Sequence, residues 1–159
     1  MFNFFKKKDI SVYAPFDGDV IDIRDVKDPV FSQLMMGDGC AIVPTSGTIY
    51  APVSGTVTFI INTNHAVCIT TDEGLELIVH YGIDTVKYGG KGFDMKVSVG
   101  QKVKAGDILY HCDMEFFRAY SVDLTSPIVV TNGDLFKIIR KKLKNGVKTG
   151  EEIMVISKK

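Results

Sequence analysis

The sequence has no excess of either charge: 19 Lys and Arg stand against 19 Asp and Glu. That balance argues against a nucleic-acid partner, which requires a net basic field. Cys40, Cys68 and Cys112 are odd in number and show no CxxC spacing. Neither a disulfide framework nor an ordinary zinc knuckle follows, and free thiols fit a reducing cytosol. No apolar run approaches the ~20 residues needed to span a bilayer. The start, Met1 to Lys8, places its apolar residues before its charges, the reverse of a secretory signal. A cytoplasmic location is therefore expected. Residues 1–9 read as a flexible tail. Within it, Phe2, Phe4 and Phe5 beside Lys6, Lys7 and Lys8 suit a weak contact of residues 2–8 with a membrane surface. No low-complexity stretch or linker divides the remainder, so residues 10–159 are read as one domain, and with the Met1 start a stand-alone protein is expected.

What is present is an ordinary globular composition, 45% hydrophobic and 24% charged, with 15 glycines. Ala14-Pro15-Phe16-Asp17-Gly18-Asp19-Val20 recurs as Ala51-Pro52-Val53-Ser54-Gly55-Thr56-Val57, sharing A-P-x-x-G-x-V. In each copy a proline turn ends at glycine and feeds a β-branched run. Two copies suit two similar β halves packed on each other. A third segment, Val97 to Leu109, is punctuated by Gly100 and Gly106. Short Val- and Ile-rich runs at 40–43, 47–50, 66–71, 75–80, 108–112, 127–130 and 153–157 read as further strands. The fold class expected is all-β: an antiparallel sandwich or barrel with an internal pseudo-repeat and a few short helices. Asp28-Pro29 supplies a cap and first turn for a helix through about Gln33, and Asp113 caps another carrying Phe116, Phe117 and Tyr120. The strongest helical spacing lies at 133–144, where Leu135, Ile138, Ile139 and Leu143 recur at i, i+3, i+4 and i+8 before Asn145-Gly146.

Thr63 to Gly82 reads as a hairpin turning at Gly74. A two-residue loop pairs His65 with His80. A three-residue loop pairs Thr71 with Leu75 and sets His80 against Ala66. The second register stacks Val67 on Val79 and Ile69 on Leu77, and the apolar pattern favours it, although it puts the imidazoles on opposite faces unless a bulge intervenes. Either way both histidines lie at one end of the hairpin. They could be plain surface histidines, a zinc pair completed by His111 or a cysteine, a Cys68–His80 acyl-transfer couple, a general base, or a phosphohistidine. The last suits the chemistry. Neutral imidazole is nucleophilic near pH 7, and a second imidazole beside it can offset a phosphoryl charge of about −1.5 to −2. Such transfer needs positioning and electrostatics and calls for no metal or other cofactor.

Gly74-Leu-Glu-Leu-Ile-Val-His80-Tyr-Gly-Ile-Asp-Thr-Val86 closely resembles the phosphorylation-site signature of the glucose-type enzyme IIA domain of the bacterial phosphoenolpyruvate:sugar phosphotransferase system. Thr63-Asn64-His65, Gly37 to Pro44, Ala51 to Val57 and Gly100 to Asp107 match further elements of that family, over about residues 12–156. The resemblance implies an antiparallel β-sandwich acting as a phosphotransferase component. His80 would carry the phosphoryl group on Nε2, His65 would support it and Thr63 would orient the site. The phosphocarrier protein HPr would be the donor, and a cysteine of a IIB domain in a IIB/IIBC sugar permease the acceptor. Val30, Phe31 and Ile78 would belong to the docking surface, with Asp28 and Asp84 meeting basic groups of the donor. Tyr81 stands where the family usually has Phe or an aliphatic residue. Cys40 and Cys68 are read as small buried hydrophobes and His111 as incidental.

Three other functions compete with this reading. A biotinyl- or lipoyl-type carrier needs a lysine at an exposed hairpin tip, of which Met95-Lys96 is a fragment. A zinc peptidase of related architecture needs H-x-x-x-D and H-x-H elements, which are lacking. A mainly regulatory member of the same family, binding partners according to its phosphorylation state, is the closest alternative.

Overall fold

The computed structural model describes residues 9–159. The expectations for the tail and for membrane contact by residues 2–8 fall outside that range, apart from Asp9. Thirteen strands are described: β1 (Ile10–Tyr13), β2 (Gly18–Asp22), β3 (Asp38–Pro44), β4 (Thr48–Tyr50), β5 (Gly55–Ile60), β6 (Ala66–Thr70), β7 (Glu76–His80), β8 (Phe93–Met95), β9 (Lys102–Val103), β10 (Ile108–Cys112), β11 (Ser126–Val130), β12 (Phe136–Lys141) and β13 (Glu152–Lys158). Two short helices join them, α1 (Pro29–Ser32) and α2 (Met114–Ala119). Each has the expected aspartate cap: Asp28 accepts the Val30 N–H at 2.9 Å, and Asp113 the Phe116 N–H at 3.1 Å. Every strand pairing is antiparallel. The main sheet runs β2-β3-β11-β7-β6-β5-β9, beside smaller sheets β1-β13-β12 and β4-β10-β8.

The pseudo-repeat is carried by hydrogen bonds that exchange between its copies. Tyr13 N–H donates to the Pro52 carbonyl (2.9 Å) and Tyr50 N–H to the Pro15 carbonyl (2.8 Å). Ala14 exchanges bonds with Gly150 and Glu151 as Ala51 does with Gly106 and Asp107. Asp17 accepts the Thr149 N–H where Ser54 accepts that of Ala105. Val147-Lys-Thr-Gly-Glu151 is thus the counterpart of Val103-Lys-Ala-Gly-Asp107, a second repeat that accompanies the A-P-x-x-G-x-V pair.

The segment expected as a helix at 133–144 is instead centred on the strand β12. Leu135, Ile139 and Leu143, the supposed apolar stripe, are 52%, 45% and 47% exposed, so helical burial never occurs. Phe136 is buried and Ile138 half-buried, which is strand alternation. The ladder with β13 shifts register between Ile138 and Arg140. A bulge of this kind leaves adjacent residues on one side and mimics a 3–4 spacing.

The main sheet is covered on both faces. Cys40, Ile42, Val67, Ile69, Leu77, Val79, Ile128 and Val130 point into the principal core. The alternate residues Ala41, Ala66, Ile78 and Val129 join Ile23, Val26, Phe31 and Ile83 in a smaller cluster beneath α1. Strands buried on both faces read as continuous apolar runs, as Ile128-Val129-Val130 does. The smaller cluster matters for function, because it floors the surface from which His80 emerges. Cys40 is fully buried as expected, but Cys68 is only half-buried, lying on the outer face of β6 opposite Phe59.

Candidate functional site

The hairpin takes the three-residue loop. Thr71 N–H donates to the Leu75 carbonyl (2.9 Å), and β6 pairs with β7 through Ala66↔His80, Val67↔Val79 and Ile69↔Leu77. The two histidines nevertheless meet, with no bulge in this ladder. Ala66 opposite His80 is its last rung, and just before it the chain turns: Asn64 has φ 59° and its N–H donates to the Ile61 carbonyl (2.8 Å). His65, from the core side, and His80, from the outer side, therefore converge around the end of the sheet. Their ring centroids lie 4.6 Å apart at an interplanar angle of 78°. His65 is 1% exposed, whereas His80 is partly open, so the pair is reached through His80.

The backbone fixes the His80 tautomer. Its Nδ1 lies 2.9 Å from the Gly82 carbonyl oxygen, which can only accept, so Nδ1 carries the proton and Nε2 keeps its lone pair. Gly82 can turn its carbonyl this way because its φ is +83°, and its N–H is held by the buried Ser126 Oγ at 3.0 Å. A Cβ on Gly82 would stand 2.5 Å from Thr85 Cγ2. Gly82→Ala is expected to cost roughly 1–3 kcal/mol of stability and, by swinging the carbonyl off Nδ1, to release the His80 tautomer as well. Thermal unfolding together with the imidazole 15N shifts of His80 checks both effects.

On the other imidazole, Thr63 Oγ1 lies 2.8 Å from His65 Nδ1, within hydrogen-bonding distance. The His65 carbonyl accepts the Tyr81 N–H (2.8 Å) and the Tyr110 hydroxyl (3.0 Å). The Phe31 ring stands 5.0 Å from that of His80. Thr63, His65 and His80 are thus brought together. Among the expected docking residues, Val30 is 40% exposed, whereas Phe31 (3%) and Ile78 (9%) are buried and form the wall and floor beneath His80. Asp28 is near enough for its charge to act on His80, while Asp84 is exposed and ion-paired with Lys87 at 3.6 Å. His111 is not part of this cluster: it lies on β10 with Nδ1 3.1 Å from Thr48 Oγ1. Among the described residues no group of three or more His, Cys, Asp and Glu could hold a metal ion, and no helix is long and apolar enough to cross a membrane.

Burial, and secondarily the His65 imidazole, hold the His80 pKa down to about 4, against 6.5 for an ordinary histidine. His65 is lowered too, chiefly by burial. The nucleophilic neutral form of His80 is therefore kept throughout neutral and mildly acid pH. Because the folded value lies below the unfolded one, its contribution to stability is full above pH 6.5 and is lost as pH falls toward about 4. An NMR titration of the imidazole should place the His80 midpoint near 4. A midpoint near 6.5 would mean that the ring is solvated.

Sequence reasoning did not find Gly82, Ser126 or Tyr110 as parts of the site. Gly82 was visible inside the His80-Tyr-Gly element, but Ser126 and Tyr110 are remote in the chain and carry no local signal. The Tyr81 hydroxyl donates to the Ser46 carbonyl at 2.9 Å, so this departure is satisfied locally within the core.

Residues 10–136 match the family described as phosphoenolpyruvate-dependent sugar phosphotransferase system, EIIA 1. The chain is 42% identical over 153 residues to the PTS system glucose-specific EIIA component of Buchnera aphidicola, covering 96% of this chain and 94% of the relative. It is 43% identical over 145 residues to the Staphylococcus aureus protein of the same description, covering 91% and 87%. A solved structure, the glucose permease IIA from Mycoplasma capricolum, superimposes with a TM-score of 0.88 at 37% identity, covering 95% of this chain and 97% of the other.

Proposed function

This chain belongs to the EIIA 1 family of the phosphoenolpyruvate-dependent sugar phosphotransferase system, and from that premise we propose that His80 is its phosphoryl relay. In the first half-reaction His80 Nε2 attacks the phosphorus of a phosphohistidine on HPr. The new N–P bond forms as the donor's breaks, and the donor nitrogen recovers the electron pair. In the second, the thiolate of a IIB cysteine, its proton already lost to solvent, attacks the same phosphorus. A P–S bond forms, and the electron pair returns to Nε2 of neutral His80. No proton has to leave His80 at any stage, because Nδ1–H stays on the Gly82 carbonyl.

His65 stabilises the charge that develops on the phosphoryl oxygens during transfer. In this reading the Thr63 hydroxyl, 2.8 Å from Nδ1, acts as the donor, which leaves the His65 proton on Nε2 for a phosphoryl oxygen. The partners dock over the His80 rim, with Val30 supplying apolar surface and Asp28 and Asp84 the charge that meets a basic donor. Phe31 and Ile78 contribute from beneath, by keeping His80 dry and upright. The partner domains choose the sugar, and the reaction takes place in the cytoplasm, where reduced thiols such as Cys40, Cys68 and Cys112 persist.

The observation that carries this reading is the fixed tautomer: a partly open imidazole with Nδ1 tied down and Nε2 unprotonated beside a second imidazole. Intact mass after incubation with phosphoenolpyruvate, enzyme I and HPr should show the gain of a single phosphate. An unchanged mass would refute the proposal.

A further inference from the structure

The His65 side chain can serve a phosphoryl group only if its backbone is held, and that backbone is anchored from two different sheets. A carbonyl oxygen has two lone pairs. One lone pair of His65 takes the Tyr81 N–H at 2.8 Å, the bond that continues the β6–β7 ladder past its last rung. The other takes the Tyr110 hydroxyl at 3.0 Å, from β10 in the neighbouring β4-β10-β8 sheet. Tyr110 is wholly buried, and its ring lies 5.9 Å from that of Phe93, which in turn lies 6.4 Å from the His65 imidazole. Burial raises its pKa well above the ordinary value, so the phenol stays a neutral donor.

We infer that Tyr110 is a positioning residue for phosphoryl relay, locking the His65 peptide so that its imidazole stays aimed at His80. The inference rests on the relay reading of the pair. Without the second bond, the peptide could pivot about the remaining one, because Asn64, immediately before it, already sits in the left-handed region. The effect belongs to onward transfer, in which the Nε2–P bond breaks, the P–S bond to the acceptor forms and charge spreads over oxygens that His65 must meet. Acceptance depends on His80 Nε2, which Gly82 holds independently.

Tyr110→Phe keeps the ring and its packing, and leaves the His65 carbonyl its ladder bond. With phospho-HPr as donor and the IIB domain as acceptor, acceptance should stay within about twofold of wild type while donation falls about tenfold, by analogy with the loss when outer-shell partners that orient a metal-ligating histidine are removed. The imidazole 15N shifts of His65 should move, and those of His111 should not. In a His65→Gln background the same substitution should change donation no further, since it acts through His65. Wild-type donation by Tyr110→Phe, equal losses in both half-reactions, or the same loss in the His65→Gln background would overturn the inference while leaving the relay itself intact. A wild-type chain that takes up no phosphate would instead overturn the relay reading.

Discussion

His80→Ala is expected to take up no phosphate from phospho-HPr and to leave the fold in place. Among the described histidines and cysteines no other group is placed to take over the attack, Cys68 included, since burial raises its pKa as well. His65 is 1% exposed and lies behind His80. His111 lies on β10, beside Thr48 of the smaller sheet. Burial pushes the Cys40 and Cys112 thiols up to about 12, so thiolate is scarce at neutral pH. The substitution removes a ring from the last rung of β7 and loses its contact with Phe31. It also removes a polar group that burial had disfavoured in its charged form. The two effects oppose each other, and the net cost should be about 1 kcal/mol. Intact mass should show no added phosphate, and the melting temperature should fall by only a few degrees.

His65→Gln is expected to have the second-largest effect, but a split one. Glutamine retains an N–H donor and most of the volume, so the buried pocket does not collapse as it would with alanine. What is lost is the aim of a ring fixed by Thr63 and by its doubly bonded peptide. Removal of a preorganised donor facing developing negative charge costs about 10²-fold, and donation to the IIB domain should fall by that order. Acceptance should fall much less, because the nucleophilic lone pair on His80 is set by Gly82. A second readout follows from electrostatics: His65 is one of the groups lowering the His80 pKa, so its removal should move the His80 titration upward. Single-turnover rates of both half-reactions, with an NMR titration of His80, check these outcomes. Equal rates in both steps would remove His65 from the mechanism.

Much of this arrangement was legible in the chain. Apolar stacking favoured the hairpin register the structure adopts, since only one of two loop lengths places Val67 on Val79 and Ile69 on Leu77, but the sequence left both loop lengths open. The caps of both helices followed from Asp28 and Asp113. The convergence of His65 and His80 was not legible, because strand parity sets them on opposite faces. It depends on the ladder ending where the left-handed Asn64 redirects the chain. The strand at β12 was missed because a bulge imposes helix-like spacing on exposed aliphatics. The likeness of Val147-Lys-Thr-Gly-Glu to Val103-Lys-Ala-Gly-Asp, recognised only through their matching hydrogen bonds, is the signal that would have pointed to a β half in that region. The docking residues divide for a similar reason. Sequence places Val30 and Phe31 side by side, but in a helical turn adjacent residues point about 100° apart, and of the two only Val30 reaches the surface.

The chemistry depends on which ring nitrogen of His80 bears the lone pair, and long-range 1H–15N correlation spectra of the 15N-labelled, phosphorylated chain report this directly. The spectra should show His80 phosphorylated on Nε2 with its Nδ1 still protonated against the Gly82 carbonyl. Phosphate on Nδ1 of His80, or on any other residue, would contradict the account.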